Sequence, residues 1–407
     1  MNYFNKIIFS ISTLILLTKL ITSLSDKQLR SKRSGIRTDA ELIKYPIYWC
    51  VLLKNVQTTY KRRRAINITV AQQAITQLES RTCLKFIQLT PCKETSYFDK
   101  PLIYFENNLE TLVDNYNFTY YSKVPNPYNI TIERSCNRYV GCFVKKIMAY
   151  LGFFLTHKRD DRDNFIDVNE SNIIENYKYI YEVQKTNFDL ANISYDYGSV
   201  MHVTKYFGKN YTLGDTFNTK FSSYYELMTG QQYGLSFTDY KFINYRYCKN
   251  ECFNTLTCER GGFLNPDSCK YCECPNGFAG SQCERLDNST SGCGQNHLNA
   301  STQLSTLIFS GIEKCNILIT AKIGMIIKIN VTLAYLPTFN PCFEKQALEI
   351  KHRRDKSLTG LCLCTYASNI TIESEDHEVL IQYNGEQKHN NATIEYQAVI
   401  SQKMEPF

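Results

Sequence analysis

Histidine is scarce in this chain: the 407 residues contain six, at positions 157, 202, 297, 352, 377 and 389. Only His157 and His202 precede residue 290, so a metal site built on three imidazoles is excluded from the N-terminal two thirds. Long apolar runs are lacking after the first 25 residues. A membrane span needs roughly 20 such residues, and Met325-Ile326-Ile327-Lys328-Ile329 is broken by charge and reads as a strand. No strong excess of one charge sign exists: the net charge is +7, and no nucleic-acid module is recognisable, which excludes nucleic acid as the expected partner. What remains is 43% hydrophobic and 21% charged, the composition of globular material long enough for two or three domains.

The compartment is legible at the N-terminus. Lys6 precedes the apolar run Ile7 to Leu17, with Ser23 and Ser25 beyond it, so residues 1–25 read as a secretory signal. Arg30-Ser31-Lys32-Arg33 is a dibasic processing site that leaves a short propeptide, 26–33. The 17 cysteines imply a disulfide framework with at least one thiol left over. Sequons at Asn67, Asn117, Asn129, Asn169, Asn192, Asn210, Asn288, Asn299, Asn330, Asn369 and Asn391 add the expectation of a secreted, extracellular glycoprotein. The basic runs Lys61-Arg62-Arg63-Arg64 and Lys351-His352-Arg353-Arg354 read as solvated faces, with contact to acidic polysaccharide or an anionic surface as the alternative.

The chemistry-bearing stretch is Lys145-Lys146-Ile147-Met148-Ala149-Tyr150-Leu151-Gly152-Phe153-Phe154-Leu155, followed by Arg159 and Asp161-Arg162-Asp163-Asn164-Phe165. Downstream come Tyr195-Asp196-Tyr197-Gly198-Ser199-Val200-Met201-His202, then Gly230 to Asp239, and Ile243-Asn244 with Arg246-Tyr247-Cys248. Upstream stand Ala74-Ile75 and Thr82-Cys83-Leu84-Lys85-Phe86. In this order the segments resemble the astacin family of metalloendopeptidases, which implies an α+β, two-lobed metzincin domain over 34–248. The resemblance implies a helix of the form H-E-x-x-H-x-x-G-x-x-H holding zinc, and only its glycine, Gly152, is present. Lys145, Ala149 and Leu155 stand at the three ligand positions, Lys146 at the general base, Val203 at the assisting tyrosine, and Met201 at the Met-turn methionine.

Zinc needs imidazole, thiolate or carboxylate donors. An ammonium group repels a dication and binds metal only when deprotonated. No catalytic residue, metal or cofactor is therefore expected, although the family is zinc-dependent. Lys145 either enters the vacated cavity, or both lysines swing out to water. His202 is expected to be structural, His157 to lie on a solvated surface, and Cys142 to be paired or buried. Thr156 replaces the glutamate against which the family buries its mature N-terminus.

From Cys252 the composition turns to Cys, Gly and Pro. Residues 249–284 resemble an EGF-like domain, which implies pairs Cys252–Cys269, Cys258–Cys272 and Cys274–Cys283. Alternating strands over 293–402 resemble a CUB-like β-sandwich, implying Cys293–Cys315 and Cys342–Cys362 with Cys364 spare. Glu344-Lys345-Gln346 stands where such domains place a calcium aspartate, so calcium is not expected. The family pattern further implies Cys83–Cys248, and Cys136 paired with Cys92 or Cys142. The favoured expectation is a secreted, inactive homologue that binds protein, peptide or glycan. The alternative is an active zinc endopeptidase acting on extracellular proteins. A third reading is a surface glycoprotein whose cleft has filled with side chains.

Overall fold

The computed structural model describes residues 42–52, 65–108, 124–184, 193–253 and 256–400. The leader, the dibasic site, Lys61–Arg64, Asn117 and Asn192 lie outside the described residues.

The N-terminal lobe is a four-stranded sheet of β1 Ile47–Val51, β2 Phe86–Gln88, β3 Leu102–Asn108 and β4 Tyr128–Glu133, in the order β2-β1-β3-β4. All its neighbours run parallel, in the registers Ile47↔Phe86, Tyr48↔Leu102 and Ile103↔Tyr128. Helix α1, Ile68–Ser80, starts where the Asn67 side chain accepts from the Thr69 and Val70 amides. Its buried residues Val70, Ala71, Ala74, Ile75 and Leu78 recur at helical spacing and face the sheet. Helix α2, Val140–Tyr150, lies beneath the sheet, and the rings of Trp49, Phe105 and Phe143 connect the two at centroid separations of 5.8 and 5.6 Å.

Every residue of α2 from Gly141 to Tyr150 is buried. Gly152, at φ +88°, ends it: its amide donates to the Ala149 carbonyl and the Phe153 amide donates to the Met148 carbonyl. At the other end, the Gly141 amide donates to the Gln232 carbonyl at 2.9 Å, and Cys136–Cys142 staples the entry. The second lobe has little regular structure. It contains the antiparallel pair β5 Ile166–Val168 and β6 Phe217–Thr219, several 3-10 turns, and helix α3, Phe237–Ile243, opened by a Ser236/Asp239 capping box. Cys83–Cys248 ties its end to the first lobe, and Cys50–Cys92 closes the sheet's edge.

Residues 252–286 form a stapled module of two short hairpins, β7 Phe263–Leu264 with β8 Cys272–Glu273, and β9 Phe278–Ala279 with β10 Arg285–Leu286. Three disulfides, Cys252–Cys269, Cys258–Cys272 and Cys274–Cys283, hold it. The C-terminal unit is built from β11 His297–Asn299, β12 Ser305–Ser310, β13 Lys314–Thr320, β14 Met325–Tyr335, β15 Leu348–Lys351, β16 Leu361–Leu363, β17 Tyr366–Glu373, β18 Glu378–Asn384 and β19 Asn391–Ile400. These make a sandwich of two sheets, β11-β13-β18-β15-β16 and β12-β19-β14-β17, and Cys293–Cys315 ties the entering chain to β13. Inward residues from both sheets share one core, and Phe309 of β12 stacks on Tyr383 of β18.

Three expectations are corrected. Cys342 pairs with Cys364, and Cys362 is the free, buried thiol. Cys362 sits mid-strand in fully buried β16, where its amide meets Met228 of the second lobe; Cys364 lies past the strand's end, within reach of the Cys342 loop. The run Lys351–Arg354 is no solvated face, since only Arg354 is exposed. Lys351 ion-pairs with Glu349, His352 is buried, and the half-buried Arg353 guanidinium lies over Phe165 and Phe221 while donating to the Tyr195 carbonyl. Nor is His157 on the surface: it is fully buried with Thr156, Lys158 and Arg159, because every one of these polar side chains finds an acceptor or hydroxyl partner inside.

The start of α2 tolerates no side chain. A β-carbon at Gly141 would lie 2.5 Å from the Gln232 carbonyl carbon. Gly141→Ala is therefore expected to destabilise the chain by roughly 1–3 kcal/mol through overpacking, against alanine's better helix propensity. Urea midpoints of the two proteins check this.

Candidate functional site

Residues one helical turn apart share a face, which places Lys145 and Ala149 together on α2. That face meets the turn Tyr195–Met201. Lys145 is 1% exposed, and its Nζ donates to the His202 carbonyl oxygen at 3.2 Å. Lys146, 6% exposed, reaches the other way to the end of β4, where its Nζ lies 2.9 Å and 3.2 Å from the two Glu133 carboxylate oxygens. Neither lysine swings out to water. Ala149, Leu155 and Val203 complete the region as buried apolar side chains.

The two histidines are engaged elsewhere. His202 Nδ1 lies 2.8 Å from the Val203 carbonyl and Nε2 lies 2.7 Å from the Tyr195 hydroxyl, a pattern satisfied by a neutral ring that donates through Nδ1 and accepts at Nε2. Burial, with a smaller contribution from Lys145, holds this imidazole down at about 4. His157 is also held well below its ordinary value by burial, and its Nε2 meets the Ile180 carbonyl at 3.0 Å. The rings are 6.0 Å apart at their centroids.

Behind this face lies a carboxylate network that the sequence did not single out. Thr156 Oγ1 donates to Ser199 Oγ, and Ser199 Oγ donates to Asp239 Oδ1 at 2.6 Å. Asp239 Oδ2 accepts from the Val200 and Ser236 amides. Asp196 accepts from the Gly198 amide, from Ser236 Oγ at 2.9 Å and from Thr359 Oγ1 of the sandwich at 3.2 Å. The network borders a cavity of about 40 Å³, room for a few water molecules, lined also by Met148, Phe154, Arg159 and Met201. The only advance signals were that Asp196 and Asp239 fall inside two of the segments that carry the family resemblance; Glu133 carried none.

The residues present do not fit zinc. The three ligand positions offer an amine hydrogen-bonded to a carbonyl, a methyl group and an isobutyl group, and among the described residues no three His, Cys, Asp or Glu side chains gather to hold a metal. A nucleophile with an adjacent base is likewise lacking along this face.

Fold and site thus define a two-lobed protease-type domain whose catalytic helix carries lysines where ligands and base would stand. Residues 53–248 match the peptidase family described as Astacin, and this part of the chain is an astacin domain. Similar curated proteins include "Zinc metalloproteinase nas-34" of Caenorhabditis elegans, 30% identical over 322 residues, covering 79% of this chain and 51% of that protein. "Zinc metalloproteinase nas-30" of Caenorhabditis elegans is 31% identical, covering 60% of this chain and 34% of its own length. "Zinc metalloproteinase dpy-31" of Brugia malayi is 32% identical, covering 63% and 45% respectively. The chain spans about half the length of these relatives or less. No helix among the described residues is long and apolar enough to cross a membrane.

Two outcomes are expected from this arrangement. Lys146→Met leaves the Glu133 carboxylate buried without its countercharge and should cost ~3–5 kcal/mol, whereas Lys146→Met combined with Glu133→Leu should recover most of that loss. Urea denaturation of the single and double variants tests the pair. The second concerns pH. Burial raises the Asp239 carboxyl from 3.8 to about 6, so between these values the folded chain keeps a proton that the unfolded chain has lost. The contribution is full below about pH 4 and falls as pH rises to about 6, by up to about 3 kcal/mol, with Asp196 adding in the same direction. Asp239→Asn is expected to flatten that interval of the stability–pH profile.

Proposed function

We propose that this chain is a secreted astacin homologue that does not hydrolyse peptide bonds and acts by binding an extracellular protein, peptide or glycan. The observation that carries the reading is the engagement of both lysines. Lys145 and Lys146 are spent on an internal carbonyl and an internal carboxylate, so Lewis-acid and proton-transfer functions are missing together. Secretion is supported by the leader, the sequons and the eight disulfides.

The stapled module reads as EGF-like, because its half-cystines pair first to third, second to fourth and fifth to sixth. The sandwich reads as CUB-like. These two units, with the surface of the astacin domain, are where binding is placed; the positions corresponding to catalysis are buried. A working zinc endopeptidase is the second reading, favoured by the names of the relatives alone.

Secreted full-length protein is expected to contain no stoichiometric zinc and to leave a peptide library uncut, with or without chelator. Chelator-sensitive cleavage overturns the proposal. Replacing Lys145, Ala149 and Leu155 by His and Lys146 by Glu is expected to introduce zinc binding, read by metal analysis, which locates the loss in these four positions.

A further inference from the structure

The outer face of the sheet β12-β19-β14-β17 is unusually apolar for a surface: Ile308 is 69% exposed, Tyr366 57% and Tyr335 47%, with Leu333 beside them. Such a patch needs an occupant. Three sequons lie on this one sheet. Ala392, Ile394, Tyr396 and Ala398 point inward from β19, so Asn391 and Thr393 point outward. Asn330 faces the same way from β14, across from Glu395, and Asn369 sits exposed at φ 53° on edge strand β17. Asn391 is directly opposite Tyr335, and Tyr335 is directly opposite Tyr366, their rings 5.3 Å apart.

We infer that Asn391 carries an N-linked glycan whose first sugars lie on the Tyr335/Tyr366 pair, and that with Asn330 and Asn369 it sheathes this face. The modification is the transfer of an oligosaccharide from a lipid-linked diphosphate. A bond forms between Asn391 Nδ2 and sugar C1, the C1–O bond to the diphosphate breaks, the amide loses one proton and the lipid diphosphate leaves; Thr393 supplies the hydroxyl of the sequon. The apolar C–H face of a pyranose packs on an aromatic ring as other flat apolar groups do. This occupant removes the patch from the surfaces available to a protein partner. The inference rests on the proposed secretion.

The test is intact glycopeptide mass spectrometry of the full chain secreted from insect cells, with thermal denaturation of variants. Asn391 is expected to be loaded. Tyr335→Ala is expected to lower Tm by about 2 °C more in the glycosylated chain than in an Asn391→Gln background. Thr393→Ala, which keeps Asn391 but removes the sequon, serves as a second unglycosylated background. A bare Asn391 in protein whose other sequons are loaded overturns the inference, as does an equal Tyr335→Ala effect in all backgrounds. Failure to be exported, or no loaded sequon anywhere, defeats the secretion reading and this inference together.

Discussion

A buried ammonium group must have an acceptor, and the placement of two of them orders everything around α2. Taking a charge out of water costs several kcal/mol unless partners replace its hydration. Lys145 finds the His202 carbonyl and Lys146 finds Glu133. The first contact links α2 to the turn ending at Met201, the second links α2 to the last residue of the edge strand β4. A zinc ion held by this helix and the loop after Gly152 would join the same parts. Two monovalent side chains therefore make, through hydrogen bonds, connections that a dication would make through coordination, and they do so without leaving an open position for water.

The second lobe has little helix or sheet to stiffen it, and the C-terminal sandwich supplies much of what it lacks. Arg353 donates to Tyr195, Thr359 to Asp196, and His352 pairs with the Tyr225 hydroxyl at 2.8 Å. The Cys342 amide donates to Leu227, and Thr238 Oγ1 donates to Ser357. Gly198 is packed so closely on Thr359 that a β-carbon there would lie 2.6 Å from its hydroxyl. The sandwich is thus part of the scaffold of the turn under α2, and a substitution in its 350–360 loop acts on the astacin domain as directly as one in the domain itself.

Much of this was legible. Gly152 fixed the register of the helix because only a residue free of a β-carbon adopts φ +88° there, and that register located Lys145, Lys146, Ala149 and Leu155 correctly on and just beyond buried α2. The alternating strands of the C-terminal unit announced a sandwich. What failed were local readings of polar residues. His157 and Arg353 stand in charge-rich runs that look solvated, yet the first is buried and the second half-buried, because distant carbonyls and aromatic faces receive them. Cys362 and Cys364 are two residues apart, and nothing in their spacing reveals which falls mid-strand and which beyond the strand's end. Glu133 has no sequence signal because its role exists only once β4 is laid beside α2.

The remaining histidines explain why no replacement site forms from what is left. A metal at this face needs lone pairs that are not already committed. His202 uses both ring nitrogens, one toward Val203 and one toward Tyr195, while Lys145 places a positive charge at its own carbonyl. His157 has one nitrogen on Ile180, and its other, Nδ1, is buried without a hydrogen-bond partner, so the pair offers a single uncommitted donor. Asp196 and Asp239 hold carboxylate oxygens, but these accept from three amides and several hydroxyls that would be stranded by coordination. The same hydrogen bonds that let polar groups be buried without metal are therefore the barrier to acquiring one, and reversal requires replacing residues on α2 rather than rearranging those around it.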